Sequence, residues 1–331
     1  MAFRLSPLWW PALALASPFI APKLAKKNRR FKENVKKAEV RNAERIAGAR
    51  PLDLPELDFL ELTVLVEEKA REGFVGDAGV SYQFVTDRGS LLYDVGFGPE
   101  RPALAHNAGR LDFTIDHTDA VAISHLHPDH MGGIKASRSL QVTVPDQLGD
   151  CGNKPCFLPD RAAADGFDAQ VVEAPQMLAG GIGTTGPLAR SLFFMGFTEE
   201  QALVAKVKGK GLVVFTGCGH PTIEVILKMV RHISDAPLYA IGGGLHFPVT
   251  SGRGNRVGIQ FQTFIGTGKP PWKRITDDDL TRTIAAINDA GPKKIFLSAH
   301  DTCDHALGRL VEELRAETTV LEAGGVYPLS D

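Results

Sequence analysis

Cysteine is scarce in this chain, with four in 331 residues. Cys151, Cys156, Cys218 and Cys303 are too few to staple a chain of this length, and their spacing fits no zinc-finger pattern. A disulfide scaffold and a finger domain are both excluded. Cys151 and Cys156, in CGNKPC, read as two loop thiols and are given no role. Net charge is also small, −2, and 44% hydrophobic with 23% charged residues excludes a disordered chain. No serine sits in a GxSxG context, which removes the nucleophile elbow. GTGKPP at 266–271 lacks the spacing and following helix of a phosphate loop. There is no internal repeat.

The small net charge hides an asymmetry. Residues 23–50 hold eleven Lys and Arg against Glu33, Glu39 and Glu44, so the remainder is acidic and no nucleic-acid footprint is expected on it. Before the basic stretch comes LSPLWWPALALASPFIAPKL, residues 5–24, almost uncharged and carrying Trp9 and Trp10. It is barely long enough to span a bilayer, and Pro7, Pro11, Pro18 and Pro22 are expected to weaken a continuous helix. Strong positive charge after the apolar part disfavours export. The reading is a membrane anchor, spanning or shallow, with the body on the cytoplasmic side; the alternative is a soluble cytoplasmic protein with the helix docked on its domain. Residues 1–50 are thus an apolar anchor plus basic linker, and 51–331 the main domain.

From about Leu57 short apolar runs alternate with glycine. LDFLELTVLVEE, GVSYQFVTD and GSLLYDVGFG read as strands joined by turns. Helices enter later: PTIEVILKMVRHIS has a helical stripe, and ITDDDLTRTIAAINDAG has Thr276 as N-cap, acids in its first turn and Gly291 as its stop. Strands first and then mixed strands and helices predict one α/β domain of sheets sandwiched with helices.

The chemistry concentrates in AISHLHPDHMGG, residues 122–133, where His125, His127, Asp129 and His130 follow a buried strand. A loop leaving a rigid sheet is where metal and catalytic groups are usually mounted. His125 and His127, two apart in extended backbone, point the same way; Asp129 and His130 follow Pro128 as a helix begins and face a second point nearby. Two ions close together explain that split better than one. Three further strands end in small residues and then a histidine: GLVVFTGCGH at His220, PLYAIGGGLH at His246 and KKIFLSAH at His300. Six of the ten histidines thus sit where they can converge on one rim of a sheet, leaving His106, His117, His232 and His305 as ordinary residues.

These motifs, preceded by LLYDVG with Asp94, resemble the metallo-β-lactamase-fold superfamily, which implies a four-layer αββα sandwich and a dinuclear site. More narrowly, GIGTTGPL, TGCGHPTIE, GGGLHF and SAHDTCDHA resemble the dihydropterin-ribofuranosyl-aminobenzene phosphate synthase-like branch of metal-dependent hydrolases. The resemblance covers roughly residues 58–325. It implies that His125, His127 and His220 hold one ion, that Asp129, His130 and His300 hold the other, and that Asp94 orients a ligand histidine. Where the superfamily has a bridging aspartate, this chain has Cys218, a ligand or a spectator thiol behind His220; Asp301 follows His300 directly. A sulfur ligand biases the pair of divalent ions toward zinc, ahead of manganese or iron. His246 is placed as a substrate-binding or proton-donating group, with a strand-end cap as the alternative.

The expected function is metal-dependent hydrolysis by a metal-bound water, with Asp129 as ligand and proton acceptor and His246 as donor to the leaving group. Arg253, Arg256, Lys269, Lys273 and Arg274, in the Gly-rich stretch after His246, suggest a small anionic substrate such as a phosphodiester or phosphorylated metabolite. Alternatives are a lactone, thioester or lipid-derived substrate, or a synthase, transferase or redox reaction on the same fold.

Overall fold

A computed structural model describes residues 10–250, 255–256, 259–260 and 266–330, with 10–17, 19, 255–256 and 259–260 described by backbone alone. Two sheets face each other. The first runs, in spatial order, Val326–Pro328, Leu60–Val66, Ser81–Thr86, Gly89–Tyr93, Ala120–Ala122, Pro155–Leu158 and Asp168–Val171. The second runs Gln176–Met177, Gly183–Thr184, Leu203–Val207, Gly211–Thr216, Leu238–Gly243, Lys294–Leu297 and Glu317–Val320, with Glu56–Leu57 paired beside Leu203–Val207.

Period-two burial along the strands builds the layer between the sheets. Leu60, Leu62 and Val64 point into it, while Leu65 joins the layer outside the first sheet. The Tyr82 and Phe84 rings meet Phe215 of the other sheet edge-on, at 5.7 and 5.0 Å between centroids.

The α-helices among the described residues are α1 Trp10–Gly48, α2 Ala103–Arg110, α3 Pro128–Met131, α4 Ile134–Ser139, α5 Ile223–Ile233, α6 Asp277–Ala290 and α7 Asp304–Glu313. Leu104, Ala108, Met131 and Ala136 of α2–α4 close the outer face of the first sheet. Leu227, Ile284, Ile287 and Leu310 of α5–α7 close that of the second. The result is the four-layer αββα sandwich. α6 starts and stops as its sequence predicts: Thr276 and Asp279 form a capping box, and Gly291 ends it with φ 70°.

α1 departs from expectation in two ways. It runs unbroken through Pro18 and Pro22, although each removes a backbone donor and interior prolines cost about 3 kcal/mol. The surrounding Ala, Leu and Lys favour helix, and the second half is pinned to the sandwich. Phe31 and Ala38 are buried, and the Asn42 side chain exchanges two hydrogen bonds with the backbone of Ala189, at 2.7 and 2.9 Å. The spanning form of the anchor finds no support either: among the described residues no helix is long and apolar enough to cross a membrane. Residues 5–9 of the proposed anchor lie outside the described residues.

Candidate metal centre

Four parallel strands deliver the histidines to one rim. Ala120–Ala122 lies parallel to its neighbours in the first sheet; Gly211–Thr216, Leu238–Gly243 and Lys294–Leu297 lie parallel in the second. The loops at their C-terminal ends carry His125 to His130, Cys218 and His220, His246, and His300. In the first loop Pro128 opens α3, which carries Asp129 and His130 and sets the His130 ring 4.1 Å from that of His125. The small residues before His220 and His246 have a steric cause. Gly219 has φ 71°, and a Cβ there would lie 2.5 Å from the Gly244 carbonyl oxygen; a Cβ on Gly243 would collide with the Thr216 carbonyl. The two loops touch backbone to backbone. His246 and Asp301 adopt left-handed backbone, φ 54° and 51°, a conformation that non-glycine residues hold chiefly where the surroundings impose it.

All six strand-end histidines converge. Ring centroids are 4.3 Å apart for His125 and His127, 4.8 Å for His125 and His220, 5.4 Å for His130 and His300, and 4.9 Å for His220 and His246. Two sets of ligand-type atoms lie within 4.8 Å of one another as His125, His127, His220 and as Asp129, His130, His300. The Cys218 sulfur lies between them. It groups with His125 and His130, with His220 and His246, and with His300 and Asp301. His106, His117, His232 and His305 stand apart; His305, for instance, pairs with Asp277 at 2.6 Å on the surface.

The donor atoms fit a cation better than they fit each other. His125 Nε2, His220 Nδ1 and both ring nitrogens of His246 and His300 are buried without a hydrogen-bond partner. Buried polar atoms are ordinarily paired, so such a group calls for an occupant. His300 Nε2 makes the point: it lies 3.1 Å from Asp129 Oδ2 and 3.4 Å from Asp301 Oδ2, yet hydrogen-bonds to neither. Electrostatics divides the cluster. Burial pushes His125 down to about 3 and His127 well below the usual histidine range. Burial opposes charge on His130 and His300 too, but Cys218 with Asp94 and Asp129 around His130, and Asp301 with Cys218 around His300, outweigh it and raise both. Burial likewise disfavours the Cys218 thiolate, and His130, His300 and His125 overcome it.

Three buried carboxylates hold the loops. Asp94 accepts from Ser124 N at 2.6 Å and Ser124 Oγ at 2.7 Å, and its Oδ2 lies 2.7 Å from His130 Nδ1, leaving Nε2 toward the Cys218 sulfur at 3.1 Å. Glu200 accepts the backbone N–H groups of Cys218, Gly219 and His220 at 3.1, 2.8 and 2.8 Å. Glu67 accepts from Ser298 Oγ at 2.6 Å, from Tyr82 Oη at 2.7 Å and from the His300 N–H at 3.0 Å. Sequence reasoning found Asp94 and missed Glu67 and Glu200. Each sits in an acidic pair, VEEK or TEEQ, that reads as a solvated strand end. Asp301, which directly follows His300, also enters the site, its Oδ2 3.4 Å from His300 Nε2 and 3.5 Å from His246 Nδ1.

A cavity of about 170 Å³ opens beside His220 and His246, with Arg190, Lys269, Arg282 and Thr283 in its wall. Lys269 and Arg282 both pair with Asp279. The Arg190 side chain makes no hydrogen bond or ion pair among the described residues; the Glu224 and Glu39 carboxylates act on it only through space. Of the basic residues expected to meet an anion, Arg253 lies outside the described residues and Arg256 is described by backbone alone. Cys151 and Cys156 are free, buried thiols.

Sandwich and rim together define the metallo-β-lactamase fold. Residues 75–143 match the family model of the metallo-β-lactamase superfamily, whose members are generally metal-dependent hydrolases. A solved metal-dependent hydrolase of the β-lactamase superfamily is similar at 21% identity and a TM-score of 0.57, over 82% of this chain and 100% of that one. The metallo-β-lactamase fold protein YhfI from Bacillus subtilis aligns at 16% identity and TM-score 0.49, over 82% and 99% of the two chains. A diphosphatase from the PhnP family aligns at 14% and 0.44, over 81% and 97%. No curated protein matches the chain. The likeness to the solved metal-dependent hydrolase is one of fold, and the family model matches residues 75–143; the narrower branch rests on the motifs alone.

Proposed function

We propose that the protein is a metal-dependent hydrolase that holds two divalent ions and acts on a small anionic substrate. One observation carries this reading. Of the seven buried side-chain nitrogen and oxygen atoms without a partner among the described residues, six are ring nitrogens of this histidine cluster. His125, His127 and His220 would hold one ion and Asp129, His130 and His300 the other. Cys218 would stand between them as a ligand, its central sulfur supporting that role over a spectator one and favouring zinc over manganese or iron. When bound, such ions supply Lewis acidity and make water acidic enough to react at neutral pH.

The remaining chemistry falls to the chain. Asp129 would serve as ligand and proton acceptor; burial disfavours charge on its carboxyl, but His130 and His300 overcome it and keep it ionised. His246, with both ring nitrogens unpartnered in the cavity wall, faces the leaving group and donates to it. Arg190 supplies the charge that selects an anionic substrate, a phosphodiester or phosphorylated metabolite, in the role first expected of the loop after His246. Residues 51–331 form the catalytic unit in this reading, and residues 1–50 serve location.

The test is elemental analysis of protein purified without chelator, which should find about two equivalents per chain. Asp129→Ala and His300→Ala should each lower that number, and the loaded wild type should turn over a phosphodiester in preference to a lactone or thioester. Full occupancy in both variants sinks the ligand assignment, and preference for a neutral ester sinks the anionic substrate.

A further inference from the structure

One corner of the molecule, at the turn of the hairpin that bears Glu200, combines exposed apolar side chains with positive charge free of ion pairs among the described residues. The hairpin Leu188–Leu192 and Gly196–Glu200 turns through Phe193, Phe194 and Met195. Phe193 is buried, but Phe194 is 45% and Met195 38% exposed. Trp272, 53% exposed, packs its ring against Phe193 at 5.4 Å. Large apolar groups gathered at a turn are unfavourable in water and mark a contact surface.

α1 passes this turn and lines a groove of about 650 Å³ with it. Its contribution includes Lys23, Lys26, Lys27, Arg30 and Lys37 beside Phe31 and Asn34, and no carboxylate lines the groove. The Lys27 ammonium lies 4.8 Å from the centre of the Phe194 ring. Further along the helix Arg41 and Arg45 are neutralised by Glu199. The five groove cations have no ion pair among the described residues. Upstream on α1, Ile20 and Leu24 are also exposed.

We propose that this corner docks on an anionic lipid bilayer. Phe194, Met195 and Trp272 enter the boundary between headgroups and acyl chains, where aromatic side chains are favoured, while the cations meet lipid phosphates. α1 then lies along the membrane surface. A nucleic acid or acidic protein would use the cations but gives no role to three exposed apolar side chains at the turn, so lipid fits both halves of the surface. The hairpin and Trp272 make this more than an anchor at residues 5–24. The proposal is independent of the reaction catalysed. The stretch 268–272 links the two regions, since Gly268 and Lys269 line the cavity at His246 and Trp272 lines the docking corner.

The test is co-sedimentation of the full-length protein with vesicles of phosphatidylcholine, alone or mixed with phosphatidylglycerol. Binding should be about tenfold or more stronger on the mixed vesicles. Phe194→Ser with Trp272→Ser should weaken it about tenfold, as should Lys27→Glu with Arg30→Glu and Lys37→Glu, with metal content and circular dichroism unchanged. A second measurement leaves the corner intact. Trp9, Trp10 and Trp272 are the three tryptophans of the chain, so after Trp9→Phe and Trp10→Phe brominated lipid should quench Trp272. Vesicle binding by the variants equal to wild type, with Trp272 unquenched, overturns the proposal in favour of the leader alone. Binding indifferent to the Phe194 and Trp272 changes but abolished by high salt also overturns it, in favour of a polyanion surface.

Discussion

Three of the four histidine loops are tied down by a buried carboxylate, and the fourth is not. Asp94 grips the loop of His125 and His130, Glu200 that of Cys218 and His220, and Glu67 that of His300. The His246 loop has no carboxylate on its backbone; its neighbour Phe247 donates its N–H to the Thr302 hydroxyl at a long 3.4 Å, and His246 Nδ1 lies 3.5 Å from Asp301 Oδ2 with neither ring nitrogen hydrogen-bonded among the described residues. The difference suggests a division of labour. Ligands of a metal must be held within a fraction of an ångström, which explains carboxylate clamps on the loops that bear them. A group that exchanges a proton with a passing substrate needs its nitrogens free.

Breaking a clamp should have the largest effect. Glu200→Ala strands three backbone N–H groups in the interior and should cost about 3 kcal/mol or more, with loss of metal from the same protein. Glu200→Gln keeps an accepting oxygen and should recover part of both, as thermal denaturation and elemental analysis would show. A Glu200→Ala protein with wild-type melting and metal content would falsify the clamp.

The untied loop should respond in the opposite manner. His246→Ala should leave stability and metal content intact while kcat falls by about a hundredfold to ten-thousandfold. Metal loss from that variant would move His246 into the ligand set and erase the contrast between the loops.

The smallest effect is expected at Cys218, one ligand among several. Cys218→Ser should reduce zinc affinity severalfold, since an alcohol is a much poorer ligand than a thiolate at neutral pH. Cys218→Asp should recover part of the occupancy. Cobalt-loaded wild type should show sulfur-to-metal charge-transfer absorption; if the serine variant retains that band, Cys218 only packs behind His220.

Much of the rim is legible in the chain because its signals are local. His125, His127, Asp129 and His130 fall within six positions, and His220, His246 and His300 each follow an apolar strand and small residues. The clamps are not legible. Glu67 and Glu200 act on residues 233 and 20 positions away, and nothing beside them in sequence distinguishes a carboxylate buried under a loop from one in water. The same limit applies to the expected anion site. Lys269 stands out by its place in a basic loop, but Asp279 occupies it, whereas Arg190, with no ion pair among the described residues, stands on a strand of ordinary composition. The prolines misled for a related reason, since local propensity counts the lost hydrogen bonds at Pro18 and Pro22 but not the docking of Phe31, Ala38 and Asn42.

By itself, then, the sequence determined the ligand types and the strands that bear them, because strand period, turn glycines and helix caps are short-range physics within a few residues. Only the tertiary structure decided which histidines share a point in space, that the Cys218 sulfur lies between the two sets, and which carboxylates fasten the loops. Those outcomes depend on how two sheets stack and bring their C-terminal edges to a common rim, which no window along the chain contains.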